Sequence, residues 1–496
     1  MKKLFILIAL VATVIPSVFV IYKAGGPQAW QGVLPRGTTD SLYYYTRMKE
    51  VKDGHLLIGN PYAYEYRNTY SPAFFIPDII SAVPLILGIP FDISIAFNMF
   101  IWSFVFLILA FRLFEQLKFE RKWAFVQSVV LYITAYSFIL RPTIMQLIYP
   151  LFLTFLIVFI EFLKEPTARK KIIWLSFVSA MTFYAYTYLS YIVFLSLVLV
   201  FFWFLATKRY LELRALFKVA VYSGLMLIPF GIYTIFQIGS PYYLETLSRI
   251  GLIYTHIPSV EVFYYGRWIV VALATLIVLR KYSLFWFATG VALLIGLGLN
   301  VITGVELQLA VHIGRFVILW MFMIFGFLIY EWYSARLSLS KLRLIAATTL
   351  IIIMFIGVGR NVVRGVGFFK FDNRDTDKVA FVQSYAQPLK WLDENVKEES
   401  VIFANQSISE YVSIMTKHYP FFFHGAQLHN IPSEELEMKR LLSLNPGSLT
   451  IEDLNNLRLD YFVVDSTKDS ELLPKFMRGV KPEYDDGRFN IYKLPK

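Results

Sequence analysis

Apolar residues run through the first 360 positions in blocks of about 18 to 22, the length a helix needs to cross a bilayer, separated by short polar stretches. The blocks predict spanning helices at 4–22, 93–113, 123–140, 143–163, 172–189, 190–207, 217–238, 267–280, 283–300, 315–333 and 343–362, about eleven in all. The run 74–90 is also apolar but carries Pro77, Asp78, Pro84 and Pro90, so a helix lying at the outer interface is expected there. The block 4–22 follows Lys2 and Lys3, is long for the core of a cleaved signal and has no small-residue cleavage site after it, which predicts a retained signal anchor. From about 370 the long apolar runs stop and charge rises. Helical stretches near 376–396 and from Ser407 alternate with β-like segments at 401–405 and 461–465, and Asp485-Asp486-Gly487 reads as a hairpin turn. The expected architecture is an all-α polytopic membrane domain over 1–369, with a long first outer loop at 23–92, followed by a soluble extracytoplasmic α/β domain over 370–496.

Composition supports a membrane protein: 57% of residues are apolar and 17% charged, against about 25% charged in soluble chains. A net charge of +12 raises nucleic acid as a partner, but the positions of the cations exclude it. They cluster at 2–3, 112–122, 164–171, 208–218, 280–281 and 336–343, alternating with nearly neutral loops, which is the bias of cytoplasmic loops. The N-terminus is therefore expected in the cytoplasm, the C-terminal domain outside it, and the chain in the plasma or inner membrane. No basic groove remains for a polynucleotide. With no cysteine in the chain, disulfides, thiolate metal sites, cysteine nucleophiles and palmitoylation are all excluded. No Walker, GxGxxG or HExxH motif stands in a credible context, so a nucleotide-driven pump or a zinc protease has no support.

Candidate chemistry gathers in the expected outer loops. The first is longer than a connection requires, rich in tyrosine, and sets Asp40, Tyr44 and Arg47 on one helical face. The second, RPTIMQ, offers Arg141 and Gln146 at a helix entrance. A third contains Glu245, Arg249, Tyr254 and His256, and the last places Gln308, His312 and Arg315 on one face at a membrane boundary. Plainer roles exist for each. Asp40 can cap the helix after Thr39, Glu245 and Arg249 can form an i,i+4 bridge, Arg315 can snorkel, and Tyr43 to Tyr45 can belong to an aromatic belt. Taken together, one carboxylate and several cations suit a lipid phosphate with a reacting group beside it.

With its N-terminal anchor, a long first outer loop with an early acid followed by aromatics and arginine, Tyr70-Ser71-Pro72 leading into an interfacial helix, and a soluble outer C-terminal domain, the chain resembles the GT-C glycosyltransferases. It is nearest in architecture to their aminoarabinose and protein O-mannosyl transferase branch, over nearly its whole length. The resemblance implies transfer of a sugar from a polyprenyl phosphate to a glycan, lipid or protein acceptor outside the cytoplasm, using an acid of the first outer loop, a role that maps onto Asp40. The chain departs from the pattern at Ser41, where relatives often have a second acid, and at RPTIMQ, which lacks the acids that oligosaccharyltransferases use for metal. Only Asp40, Glu245 and Glu306 stand in plausible positions for a metal near the donor phosphate, and they lie on three different loops, so no metal and no other cofactor is expected.

A polyprenyl phosphate departs as a stabilised anion and needs no general acid, so one base suffices. Asp40 would take the proton of an acceptor hydroxyl attacking the anomeric carbon from the opposite face, giving inversion. Arg47, Arg141, Arg249, His256, His312, Arg315, Tyr44 and Gln308 are the expected contacts to the donor phosphate and substrate. The alternative function is a transporter or flippase for a lipid-linked glycan, which would show polar residues at mid-membrane and repeated halves. A scaffold that merely presents residues 370–496 is a third, and it has no need of Asp40.

Overall fold

Long stretches of Leu, Ile, Val and Phe free of interior charge become long helices because only a helix satisfies its own backbone in an apolar medium. In the computed structural model the described residues are 1–36, 40–71, 75–139, 141, 143–280, 283–334, 376–467, 474–477 and 479–494, with isolated residues between 344 and 359. Among them, six helices are long and apolar enough to cross a membrane: Lys2–Lys23, Phe91–Gln116, Ile144–Lys164, Thr187–Ala206, Val260–Val278 and Leu309–Glu331. A seventh crossing arises only if Tyr210–Met226 and Ile228–Ile238 are taken together, bent by 51°. These helices, with large apolar side chains such as Phe194, Phe202, Trp203 and Ile235 left exposed, are those of a membrane protein.

The expected eleven spans are therefore corrected to six or seven. Three of the expected spans are helices that fall short. Arg121–Ile139 opens on Arg121 and Lys122 and carries Gln127, Ser128 and Thr134. Arg169–Ala185 has 17 residues and opens on three cations. Leu284–Leu297 has only 14 residues, about 21 Å of helix against a hydrocarbon core of about 30 Å. Most of the span expected at 343–362 lies outside the described residues.

The chain divides into two compact units. The first comprises Met1–Thr13, Asn98–Ile232 and Gly251–Phe371. Its core is aromatic, with Phe106, Phe114, Tyr149, Phe152, Phe155, Trp286 and Trp320 fully buried. Small residues let its helices close up, as helices do where lipid and side chain are equally apolar. A Cβ on Gly290 would lie 2.8 Å from the Trp320 ring, and one on Gly314 would lie 2.4 Å from Tyr265. Trp320 Nε1 donates to Thr289 Oγ1 at 2.9 Å, and Thr289 donates in turn to Phe285 O, so the buried polar groups are paired. Near the start of Leu309–Ser334, strands β1 (Leu252–Tyr254) and β2 (Val305–Leu307) form an antiparallel ribbon with Ile253 opposite Glu306.

The second unit comprises Val14–Phe97, Tyr233–Ile250 and Asp372–Lys496. It contains a five-stranded mixed sheet of β3 (Val401–Phe403), β4 (Tyr419–Pro420), β5 (Tyr461–Asp465), β6 (Tyr484–Asp485) and β7 (Phe489–Lys493), in the order β4-β3-β5-β7-β6. The first three strands are parallel and β7 runs antiparallel to both of its neighbours. The hairpin turn lies between β6 and β7, where Asp485 and Asp486 accept the N–H groups of Gly487 and Arg488. Alternate side chains divide the sheet into two faces. Val401, Phe403, Phe462, Val464 and Tyr492 pack on one, and Ile402, Tyr461, Val463, Phe489 and Ile491 on the other. Leu42 and Tyr45 of the helix Ser41–Lys52 join that second face, while Met48 and Val51 pack with Ala82 and Leu85 of the helix Ile76–Ile86.

Candidate functional site

In the second unit, Ser41–Lys52 is wedged between apolar partners and buries ten of its 12 residues. Arg47 is fully buried and needs an anion, because an unpaired charge is not tolerated there. Asp78, buried in the apolar helix Ile76–Ile86, supplies it: Arg47 Nε and Nη2 donate to Asp78 Oδ2 at 3.0 and 2.7 Å. Arg47 Nη1 donates to Ser71 Oγ at 2.8 Å, and the Tyr43 ring lies 5.5 Å from the guanidinium. Burial is the largest single influence and pulls Arg47 down, but the charge of Asp78, its hydrogen bond and the fields of Tyr43 and Tyr233 together hold the guanidinium above its ordinary value. Tyr44 is buried edge-on to Tyr43 at 5.2 Å. Asp40 occupies the N-cap position of the same helix with φ −112° and ψ 9°, yet its side chain makes no capping hydrogen bond.

Arg249 also lies in this unit, and its donors are directed to neighbouring backbone and hydroxyl groups. Nε donates to Gln427 O, Nη1 to Ser433 Oγ at 2.7 Å, and Nη2 to Thr246 Oγ1, His429 O and Ile431 O at 3.0, 3.1 and 2.9 Å. Glu245 stands 3.8 Å from Arg249 and accepts Ser433 N–H at 2.9 Å. This is a clamp that ties the helix Tyr243–Arg249 to residues 427–433. Arg47 and Arg249 are thus engaged as structural cations.

The first unit assembles a different group. Gln308 precedes the helix Leu309–Ser334, which carries His312 and Arg315 one turn apart. His312 Nδ1 is hydrogen-bonded to the hydroxyl of Tyr186, and Nε2 lies 3.3 Å from Gln308 Oε1. The Tyr188 ring stacks flat on His312, with centroids 4.1 Å apart and planes within 1°, and its hydroxyl donates to Leu307 O at 2.9 Å. Arg141, half-buried at the entry to Ile144–Lys164, is held below its ordinary value by burial and then by the charge of Arg315. Burial pushes Tyr186 up to about 12, against the opposing charges of Arg315 and Arg141. Two guanidiniums gathered with an imidazole, a phenol and an amide offer donors that can hold an anion.

His256 lies in the first unit but faces elsewhere. Its Nδ1 is 3.0 Å from Val301 O and its ring lies against Gly304, where a Cβ would fall 2.8 Å from Nε2. Of the residues singled out in the sequence, Arg141, Gln308, His312 and Arg315 come together, Asp40, Tyr44 and Arg47 share one helix, and Arg249 and His256 hold loops. Sequence reasoning missed Asp78 as the partner of Arg47, although a carboxylate in an apolar helix is itself a signal that a cation must meet it. It also missed Tyr186 and Tyr188, which fell at the end of an expected span. No group of three or more His, Asp or Glu side chains suited to a metal ion occurs among the described residues. Comparison of the chain with protein-family models gave no match, and comparison with curated proteins gave none either.

Proposed function

We propose that this chain is an integral membrane glycosyltransferase of the GT-C kind, taking its sugar from a polyprenyl phosphate and passing it to an acceptor outside the cytoplasm. The observation that carries the reading is the pairing of Arg141 with Arg315 beside Tyr186, His312 and Gln308 at the start of an apolar helix. A membrane-embedded lipid presents its phosphate at such a boundary, and two guanidiniums supply the bidentate contacts that favour a departing phosphate monoester. Asp40 is the base in this reading. Asp40 takes the acceptor hydroxyl proton, the oxygen bonds to the anomeric carbon from the face opposite the phosphate, and the C–O bond to phosphate breaks with its electron pair leaving on the lipid. Tyr44 shapes the helix that carries Asp40, and membrane lipids surround the exposed apolar helices.

A transport reading gains one observation, the broken pair Tyr210–Met226 and Ile228–Ile238, since transporters break helices at their sites. Pro229, second in the latter helix, accounts for that break without a ligand. The test is mass spectrometry of lipids copurifying with the protein, followed by turnover of the sugar phospholipid found. Asp40→Asn is expected to retain that lipid and lose transfer by at least about 10²-fold. Lipid movement across a bilayer without transfer would favour the transporter, and near-normal transfer by Asp40→Asn would remove Asp40 from the chemistry.

A further inference from the structure

Glu306 is a carboxylate of the first unit that the transfer chemistry above leaves unused. It sits in β2, two residues before Gln308 and six before His312, and the intervening Leu307 carbonyl accepts the hydroxyl of Tyr188, whose ring lies on His312. Glu306 Oε1 accepts Ala310 N–H at 3.3 Å, a weak bond at the start of Leu309–Ser334. Glu306 Oε2 is buried and has no hydrogen-bond partner among the described residues. A sealed carboxylate oxygen without a donor bears its full desolvation cost, so this atom is prepared for a donor that arrives from outside the chain. Glu306 adjoins the cationic group through that chain of contacts, since its neighbour Leu307 holds Tyr188, and Tyr188 lies on His312, one turn before Arg315.

We infer that Glu306 recognises the donor sugar: its Oε2 accepts a hydrogen bond from a hydroxyl of the sugar whose phosphate Arg141 and Arg315 hold. The inference rests on the donor reading proposed above. In a glycosyl phosphate the ring hydroxyls lie a few bonds from the phosphorus, so a carboxylate bordering the phosphate grip meets a hydroxyl rather than the lipid. Discrimination follows from the same chemistry, because a buried acceptor rejects a ring that presents no O–H to it.

The competing role is purely structural, with Glu306 serving only Ala310 N–H. Glu306→Gln separates the two, since its amide oxygen keeps the bond to Ala310 while the charge is lost, and Glu306→Asp keeps the charge but withdraws it by one methylene. Binding of farnesyl phosphate and of its mannosyl, glucosyl and arabinosyl esters is measured on the full chain in nanodiscs. Wild type is expected to bind one ester at least about tenfold more tightly than farnesyl phosphate, the effect of one well-placed hydrogen bond to a charged group. Both variants are expected to lose that preference while binding farnesyl phosphate as before, and Arg315→Gln to weaken every ligand. A preference unchanged in both Glu306 variants overturns the inference and leaves the donor reading standing. Wild type that binds every ester no better than farnesyl phosphate overturns the inference too, and wild type that binds none of the ligands overturns the donor reading itself.

Discussion

Arg47 and Asp78 show how far a single charged residue can be read without its partner. In the sequence, Arg47 is a cation on the face of Asp40 and Tyr44, which suggests a phosphate ligand. In the fold both side chains of the pair are entirely inaccessible, and the guanidinium is shared between Asp78 and Ser71. Removing one member of a buried pair leaves the other charge unpaired, at a cost of about 3–5 kcal/mol. Arg47→Ala and Asp78→Ala are therefore each expected to lower the thermal midpoint of the detergent-solubilised protein strongly, and Arg47→Ala/Asp78→Ala to cost less than the sum of the two. Additive losses would show that the pair is not coupled. Arg141, Gln308, His312 and Arg315 stand out in the sequence because polar residues at the mouth of an apolar run are costly, and the fold brings them near one another. Arg47 and Arg249 misled because sequence shows a cation but not the carboxylate or carbonyls, some 30 or 180 positions away along the chain, that take up its donors.

Elements were legible where one periodicity decided them. The apolar runs became helices, and the Asp-Gly turn joined β6 to β7 as its chemistry dictates. The count of crossings was not legible, because an apolar run does not distinguish a helix exposed to lipid from one packed inside protein. Leu284–Leu297 is the clearest case: it is short, and its glycines face the neighbouring helices. At Gly290 the space is already filled by Trp320, a fully buried ring with no room to withdraw. Gly290→Val is expected to destabilise by about 1–3 kcal/mol, the usual cost of overpacking. Gly224→Ala is the control, since a Cβ there meets nothing within 4 Å and alanine suits a helix better. Thermal melts with the two variants moving in opposite directions are the expected result. A neutral Gly290→Val would mean that the Trp320 contact is loose.

At the scale of the whole molecule, the change in composition near 370 announces a second kind of structure, but nothing local in the sequence says what it packs against. Val33, Leu42 and Tyr45 share a core with Leu389, Ile402, Val463 and Ile491, so residues more than 340 positions apart along the chain belong to one buried cluster. Such a contact leaves no period to read. It has a consequence for topology that does not depend on the number of crossings, because a bilayer cannot pass through a packed core. The segment following Lys2–Lys23 and the sheet of β3 to β7 must therefore lie on the same side of the membrane. Lys2 and Lys3 ahead of that first apolar helix make the expected orientation one with its N-terminal end inside and both segments outside. The cysteine-free chain allows a direct test with single cysteines at exposed positions: Lys52→Cys in the early segment, Ser448→Cys in the sheet region and Lys2→Cys at the N-terminal end. In intact cells, an impermeant thiol reagent is expected to label the first two and spare the third until the membrane is opened. Labelling of Lys2→Cys alone would reverse the orientation while keeping the shared core. Labelling of only one of Lys52→Cys and Ser448→Cys would place the membrane between residues that pack together, and the core itself would then be wrong.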